Sequence, residues 1–206
     1  MATKSKDSVR VKITLAAKGN GMLQNPMTDE LLDQLIGVSA KSATQKDIPL
    51  SEIAARKVLK SEEGKPGIKI EYLTACLAEA GRSVKIGKKQ ISTAESTSIF
   101  GFLDFLGATF LPFKEGTEDY VVDKRRGVLK NGGKAVAVGI VRPLFKSWEI
   151  DLEIEINTTA EFGCQADIVK QLFDAAGTKV GLGDYRPAKK GPFGMFKVAK
   201  WEIFEE

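Results

Sequence analysis

Apolar and polar residues alternate most plainly towards the two ends of the chain. Val9, Val11, Ile13 and Leu15 interleave with Arg10, Lys12 and Thr14, while Ile150, Leu152, Ile154 and Ile156 interleave with Glu149, Asp151, Glu153 and Glu155. A period of two puts each apolar set on one face of an extended chain, so both segments read as half-buried β-strands. Gly19-Asn20-Gly21 ends the first, and a final strand is expected over about Met195–Phe204. Elsewhere the period is helical. Leu73, Cys76, Leu77 and Ala80 share one face of a helix over about Glu71–Ala80, with Gly81 in the stop position. Asp167 opens another through Ile168, Val169, Leu172, Phe173 and Ala176, which Gly177 is expected to end. Thr28, ahead of Asp29 and Glu30, reads as the N-cap of a short helix through Leu31, Leu32, Leu35 and Ile36, followed by a loop over Ser39–Lys46. Ser51 reads as the cap of a helix through Ile53, Ala54, Val58 and Leu59.

The middle of the chain is less periodic. Gly81–Gln90 is basic and turn-prone, and Ile99–Phe113, the most apolar stretch, reads as part buried loop and part strand. Val121-Val122 and Gly127–Leu129 flank a basic hairpin closed by Asn131-Gly132-Gly133. Ala135–Val141 is β-like, and Pro143 predicts that this strand ends at an edge or bulge. Strand–helix at the start and strand–helix–loop–strand at the end predict an α+β fold, with a ferredoxin-like βαββαβ core as the commonest solution. We read residues 1–206 as a single domain, its core at about 8–80 and 135–204 and a large central insertion at about 82–134.

Composition narrows the chemistry. With 206 residues, 43% of them hydrophobic and 28% charged, the chain can bury a core. Histidine is absent, which removes His-based acid–base catalysis, Ser-His-Asp and Cys-His nucleophiles and His-ligated metals. The two cysteines, Cys76 and Cys164, are too few for a thiolate zinc site. Both read as buried free thiols, with a disulfide between them left open. The first residues are polar, and no apolar run reaches the length of a membrane span. The expectation is a cytoplasmic protein with no cofactor and no membrane partner.

Net charge is only +4, from 31 Lys plus Arg against 27 Asp plus Glu, so the distribution of charge matters more than its sum. The ladder Glu149, Asp151, Glu153, Glu155 lies on one face of its strand. It reads as a solvated face that Arg10 and Lys12 of the first strand neutralise, or as carboxylates for a divalent metal. Three basic clusters fall in turn-like contexts: Arg82, Lys85, Lys88, Lys89; Lys124, Arg125, Arg126, Lys130, Lys134; and Arg186, Lys189, Lys190 with Tyr185 and Phe193 interleaved. The last sits in the loop Gly181–Gly194. That loop follows a helix and leads to a strand, the reverse of a dinucleotide-binding turn, and it lacks the Gly-Lys-Ser/Thr of a phosphate-binding loop. It reads as phosphate contacts with aromatic stacking, or as a structural hairpin with solvated lysines.

The pattern Gly181-x-Gly183-Asp184-Tyr185-Arg186-Pro187, then Gly191-Pro192-Phe193-Gly194-x-Phe196, preceded by Val141-Arg142-Pro143-x-Phe145-x-x-Trp148, resembles a group of tailed-phage and metagenomic proteins with a similar ending. More distantly, a glycine-rich loop before the last strand resembles the RAMP superfamily, which includes RRM-like backbone subunits of CRISPR effector complexes. The resemblance implies a phage-encoded, single-stranded nucleic-acid-binding protein, a possible homo-oligomer assembled head to tail, and points to Gly181, Gly183, Arg186, Gly191 and Gly194. Three functions stay open on the sequence. The first is a non-catalytic single-strand binder using the basic loops with Tyr185 or Phe193 stacked on bases. The second is a structural or regulatory interaction factor with Phe100, Phe102, Phe105 and Phe110 exposed for a protein partner. The third is a metal-dependent nuclease using Asp151 and Glu153.

Overall fold

The computed structural model describes residues 8–27, 48–131, 134–159 and 164–204. Along the chain run β1 (Ser8–Ala17), β2 (Met22–Leu23), α1 (Leu50–Ala55), β3 (Gly67–Lys69), α2 (Ile70–Ala80), β4 (Lys85–Ile86), β5 (Lys89–Gln90), the single turn α3 (Ile99–Phe102), β6 (Leu103–Phe105), β7 (Phe110–Pro112), β8 (Val121–Asn131), β9 (Lys134–Phe145), β10 (Glu149–Asn157), α4 (Ala166–Ala175) and β11 (Phe196–Phe204). The predicted segments Thr28–Ile36 and Ser39–Lys46 lie outside the described residues.

The fold is mixed α and β with antiparallel sheets. Four strands pair in the order β11-β1-β10-β6, every neighbour antiparallel. Alternation explains the two faces. Val11, Ile13 and Leu15 of β1 and Ile150, Ile154 and Ile156 of β10 are buried, while Lys12, Asp151 and Glu153 between them are exposed. The helical periods work in the same way: Leu73, Cys76, Leu77 and Ala80 of α2 and Val169, Leu172 and Phe173 of α4 are buried in the same core. Trp148 anchors one end of it, with ring centroids 6.1 Å from both Phe113 and Phe196. The fourth strand, β6, comes from within residues 82–134.

A second sheet, β2-β9-β8, is built around a long hairpin paired from Val121↔Leu144 to Asn131↔Lys134. Here Pro143 does not end the strand. It sits inside β9 opposite Val122, and its carbonyl accepts the Gln24 N–H at 3.2 Å. Proline lacks only the donor, and the central strand uses its acceptor.

Two further expectations are corrected. Helix α1 starts after Pro49 without a side-chain cap from Ser51 and stops at Ala55, short of Val58 and Leu59; the Leu59 N–H instead donates to Gln24 Oε1 at 2.8 Å. Gly81 does stand where α2 stops, at φ −57° rather than in the left-handed region, and the chain runs on into a short 3₁₀ turn. Glycine is needed there because a Cβ would collide with Ser92 Oγ. Gly177 is likewise inside a widened turn over Ala176–Val180, where the backbone carbonyl of Phe196 occupies the space of a Cβ; Gly181, at φ 76°, ends the helix. Both glycines serve close packing.

Candidate nucleic-acid interface

The acidic ladder is ion-paired with its neighbours. Register sets Arg10 opposite Glu155, Lys12 opposite Glu153 and Thr14 opposite Asp151. Arg10 Nε lies 3.5 Å from Glu155 and Lys12 Nζ 3.2 Å from Glu153, while the Thr14 hydroxyl donates to Asp151 at 2.6 Å. Lys114 reaches over from the loop after β7, 3.5 Å from Glu149 and 3.4 Å from Asp151. Its hydrogen bond to Asp151, ahead of their charge attraction, holds the ammonium above its ordinary pKa. Among the described residues no group of three or more His, Cys, Asp or Glu is placed to hold a metal ion.

The glycine loop is knitted into the protein. Gly194 N–H donates to Gly21 O at 2.7 Å, Asp184 N–H to Leu23 O at 2.7 Å, and Leu182 N–H to Gly194 O at 2.8 Å. A Cβ at Gly183, Gly191 or Gly194 would strike the carbonyls of Leu23, Tyr185 or Leu182. These glycines let protein backbones approach one another, so their spacing needs no ligand to explain it. Within the loop Lys189, Lys190 and Tyr185 are exposed, and Arg186 is half-buried with Nη2 3.4 Å from Glu79. Phe193, expected as an exposed stacking platform, is only 4% exposed. Its ring lies 4.6 Å beneath the Arg125 guanidinium and 6.1 Å from Tyr185, so the hairpin covers it.

That contact belongs to a junction the sequence did not reveal. Arg142, with its side chain 5% exposed, donates from Nη1 to Asp184 at 2.8 Å and from Nη2 to Asp123 at 3.2 Å. Asp123 also accepts from Arg125 Nε at 2.8 Å. The Lys57 ammonium donates to Val141 O at 2.8 Å beside this group, and burial, then the charge of Arg142, pushes its pKa down. The hairpin and the glycine loop are thereby locked together by two carboxylates shared among cations. Arg142 and Asp184 stand in the Arg-Pro and Gly-x-Gly-Asp segments singled out in the sequence, and their place in that pattern was the available signal.

The remaining basic residues are dispersed. Lys124 and Arg126 are exposed on β8 opposite Val141 and Gly139, and Lys130 and Lys134 take register positions near the hairpin end. Arg82, Lys85, Lys88 and Lys89 are exposed on and before the β4–β5 hairpin at the C-terminal end of α2, where Arg82 Nε donates to Thr93 O at 3.1 Å. The structure brings Arg125 to the glycine loop, but places the Arg82–Lys89 cluster on a separate hairpin. The four-phenylalanine surface is not formed: Phe100 is exposed, Phe105 and Phe110 are half-buried, and Phe102 is buried in the core.

Both cysteines are buried and free. Burial pushes the Cys76 thiol up to about 12 and that of Cys164 to about 11. No helix among the described residues is long and apolar enough to cross a membrane.

No family model matches the chain, and no curated protein matches it. Among solved structures it is similar to a chain of the cryo-EM structure of the Type III-B Cmr-beta bound to cognate target RNA, with a TM-score of 0.48 and 14% identity. That match covers 97% of this chain and 61% of the other, so the protein spans about three-fifths of its neighbour's length.

Proposed function

We propose that this protein is a non-catalytic binder of single-stranded nucleic acid, built on a ferredoxin-like core and contacting phosphates through its basic hairpins and glycine loop. One observation carries the reading: charge is segregated by how it is used. The acids of the open sheet face are consumed by Arg10, Lys12 and Lys114. Lys124, Arg126, Lys189 and Lys190 instead stay exposed on projecting turns and strands. Exposed cations at projecting positions attract a phosphate backbone, whereas a ladder of paired charges has little net field. The strand order β11-β1-β10-β6, with α2 between β1 and β6 and α4 between β10 and β11, supports the ferredoxin-like assignment.

Tyr185 is the stacking residue in this reading, since Phe193 is covered. The nuclease alternative loses support because Asp151 and Glu153 are both engaged in the ladder. Phage origin rests on the motif resemblance alone. A direct competition experiment tests the function: labelled single-stranded DNA or RNA is bound and challenged with unlabelled single strand or duplex. Displacement by single strand well below the duplex concentration is expected. Failure of either labelled strand to bind at low salt would sink the reading.

A further inference from the structure

Between the β1–β2 turn, the β8–β9 hairpin and the glycine loop lies a cleft of about 480 Å³, whose lining includes Asn20, Arg125, Leu144, Lys146, Pro192 and Phe193. Its walls are fixed to each other. Lys18 N–H donates to Met195 O at 2.9 Å and Gly194 N–H to Gly21 O at 2.7 Å, so the turn and the loop form one continuous backbone surface. Asn20 Nδ2 reaches Pro192 O at 3.4 Å, a long contact that leaves the amide able to rotate towards a ligand.

Arg125 is held in the cleft on two sides. Its Nε is bonded to Asp123 at 2.8 and 3.0 Å, and its guanidinium lies on the Phe193 ring at 4.6 Å. Both contacts leave the two Nη groups without a described carboxylate. A fork immobilised before binding loses little entropy when it takes an oxyanion. Lys146 is exposed on the same cleft and makes no ion pair among the described residues. The electrostatic balance also favours an anion. Among the described residues that line the cleft, Arg125 and Lys146 are charged and none is acidic, while the nearby Asp123 and Asp184 are paired with Arg125 and Arg142.

We propose that this cleft is a phosphate site: Arg125 Nη groups and the Lys146 ammonium hold one phosphodiester of a bound single strand, with the Asn20 amide as a neutral donor. This rests on the nucleic-acid reading and deepens it, because it adds a built phosphate contact in the cleft to the exposed cations of the hairpin and the glycine loop. Phe193 then acts as a positioning residue that supports Arg125 and touches no base.

The test uses the full chain and a labelled oligothymidylate, with binding measured over a series of salt concentrations. Each lost phosphate contact should flatten the plot of log K against log salt by about 0.7 for a single strand. The double variant Lys146→Gln/Arg125→Gln, which releases that phosphodiester, should lose about that much, and Lys146→Gln alone, outside the ion-pair network, should bind more weakly with the slope flattened by part of it. Wild-type affinity and slope in Lys146→Gln would overturn the site while leaving the nucleic-acid reading intact. A second arm titrates inorganic phosphate while following backbone amide resonances. Shifts at Asn20 and Lys146 that vanish in Lys146→Gln support the anion site even if no oligonucleotide binds, in which case the nucleic-acid reading alone fails. No shift together with no oligonucleotide binding would remove both.

Discussion

Two surfaces of this protein carry comparable charge and use it in opposite ways. On the open face of the four-stranded sheet, charges of opposite sign sit directly across from one another: Arg10 against Glu155, Lys12 against Glu153, with Lys114 bridging Glu149 and Asp151. At the junction of the β8–β9 hairpin and the glycine loop, two carboxylates are shared among Arg125, Arg142 and the neighbouring Lys57, and the cations outnumber them. The first arrangement is closed and exposed, and each pair is worth little. The second is partly buried, ties two elements together and leaves unspent donors at its surface. A charge pattern therefore speaks of binding only after the internal pairs have been subtracted.

The largest effect is expected at Arg142. Arg142→Met keeps much of the bulk but leaves the nearly buried Asp123 carboxylate to Arg125 alone and frees Asp184, which at 38% exposed can turn to solvent. We expect a loss of about 2 kcal/mol in urea unfolding, the scale of a lost hydrogen bond to a charged group. A loss below about 1 kcal/mol, the range of a surface pair, would mean that the junction is no more cohesive than the ladder.

Next in size is the loop itself. Reversing Lys189 and Lys190 to Glu should weaken single-strand binding roughly tenfold or more at low salt and flatten the salt dependence by about 1.4, since two phosphate contacts are lost. Unchanged anisotropy curves would assign those lysines to solvent.

The buried thiols give a pH-dependent contrast with the exposed ladder. Cys76 is raised to about 12 by burial. As pH rises past about 9 the unfolded thiol ionises while the folded one stays protonated, so the unfolded state binds fewer protons. Stability from this group is thus full below pH 9 and is lost between about 9 and 12. A thiol reagent at pH 9 should label the urea-unfolded chain and spare the native one; rapid native labelling would contradict the buried assignment. The smallest effect belongs to the ladder. Lys12→Met with Glu153→Gln should change stability by less than about 1 kcal/mol and leave nucleic-acid affinity unaltered, whereas altered affinity would bring the sheet face into the interface.

Much of the sheet was legible in the sequence because alternation is a local signal. Val9 to Leu15 and Glu149 to Ile156 each specify a strand and its buried face without reference to the rest of the chain. The neutralisation of the ladder by Arg10 and Lys12 could also be anticipated once those strands were set side by side. Glycine and proline were misread where their role depends on distant backbone: Gly177 makes room for Phe196, and Pro143 serves Gln24. The covering of Phe193 by Arg125 joins positions 68 residues apart in the chain, and no periodicity encodes such a contact. The same holds for Arg142 and Asp184, whose shared place in one motif was the sole hint that they meet.

The decisive measurement is the salt dependence of the unmodified protein's binding to a single strand. Anisotropy of a labelled oligonucleotide, titrated from low to physiological salt, should show binding whose log K falls with log salt at a slope of about −2 or steeper, equivalent to at least three neutralised phosphates. No binding at the lowest salt, or binding whose strength ignores salt, would contradict the nucleic-acid reading.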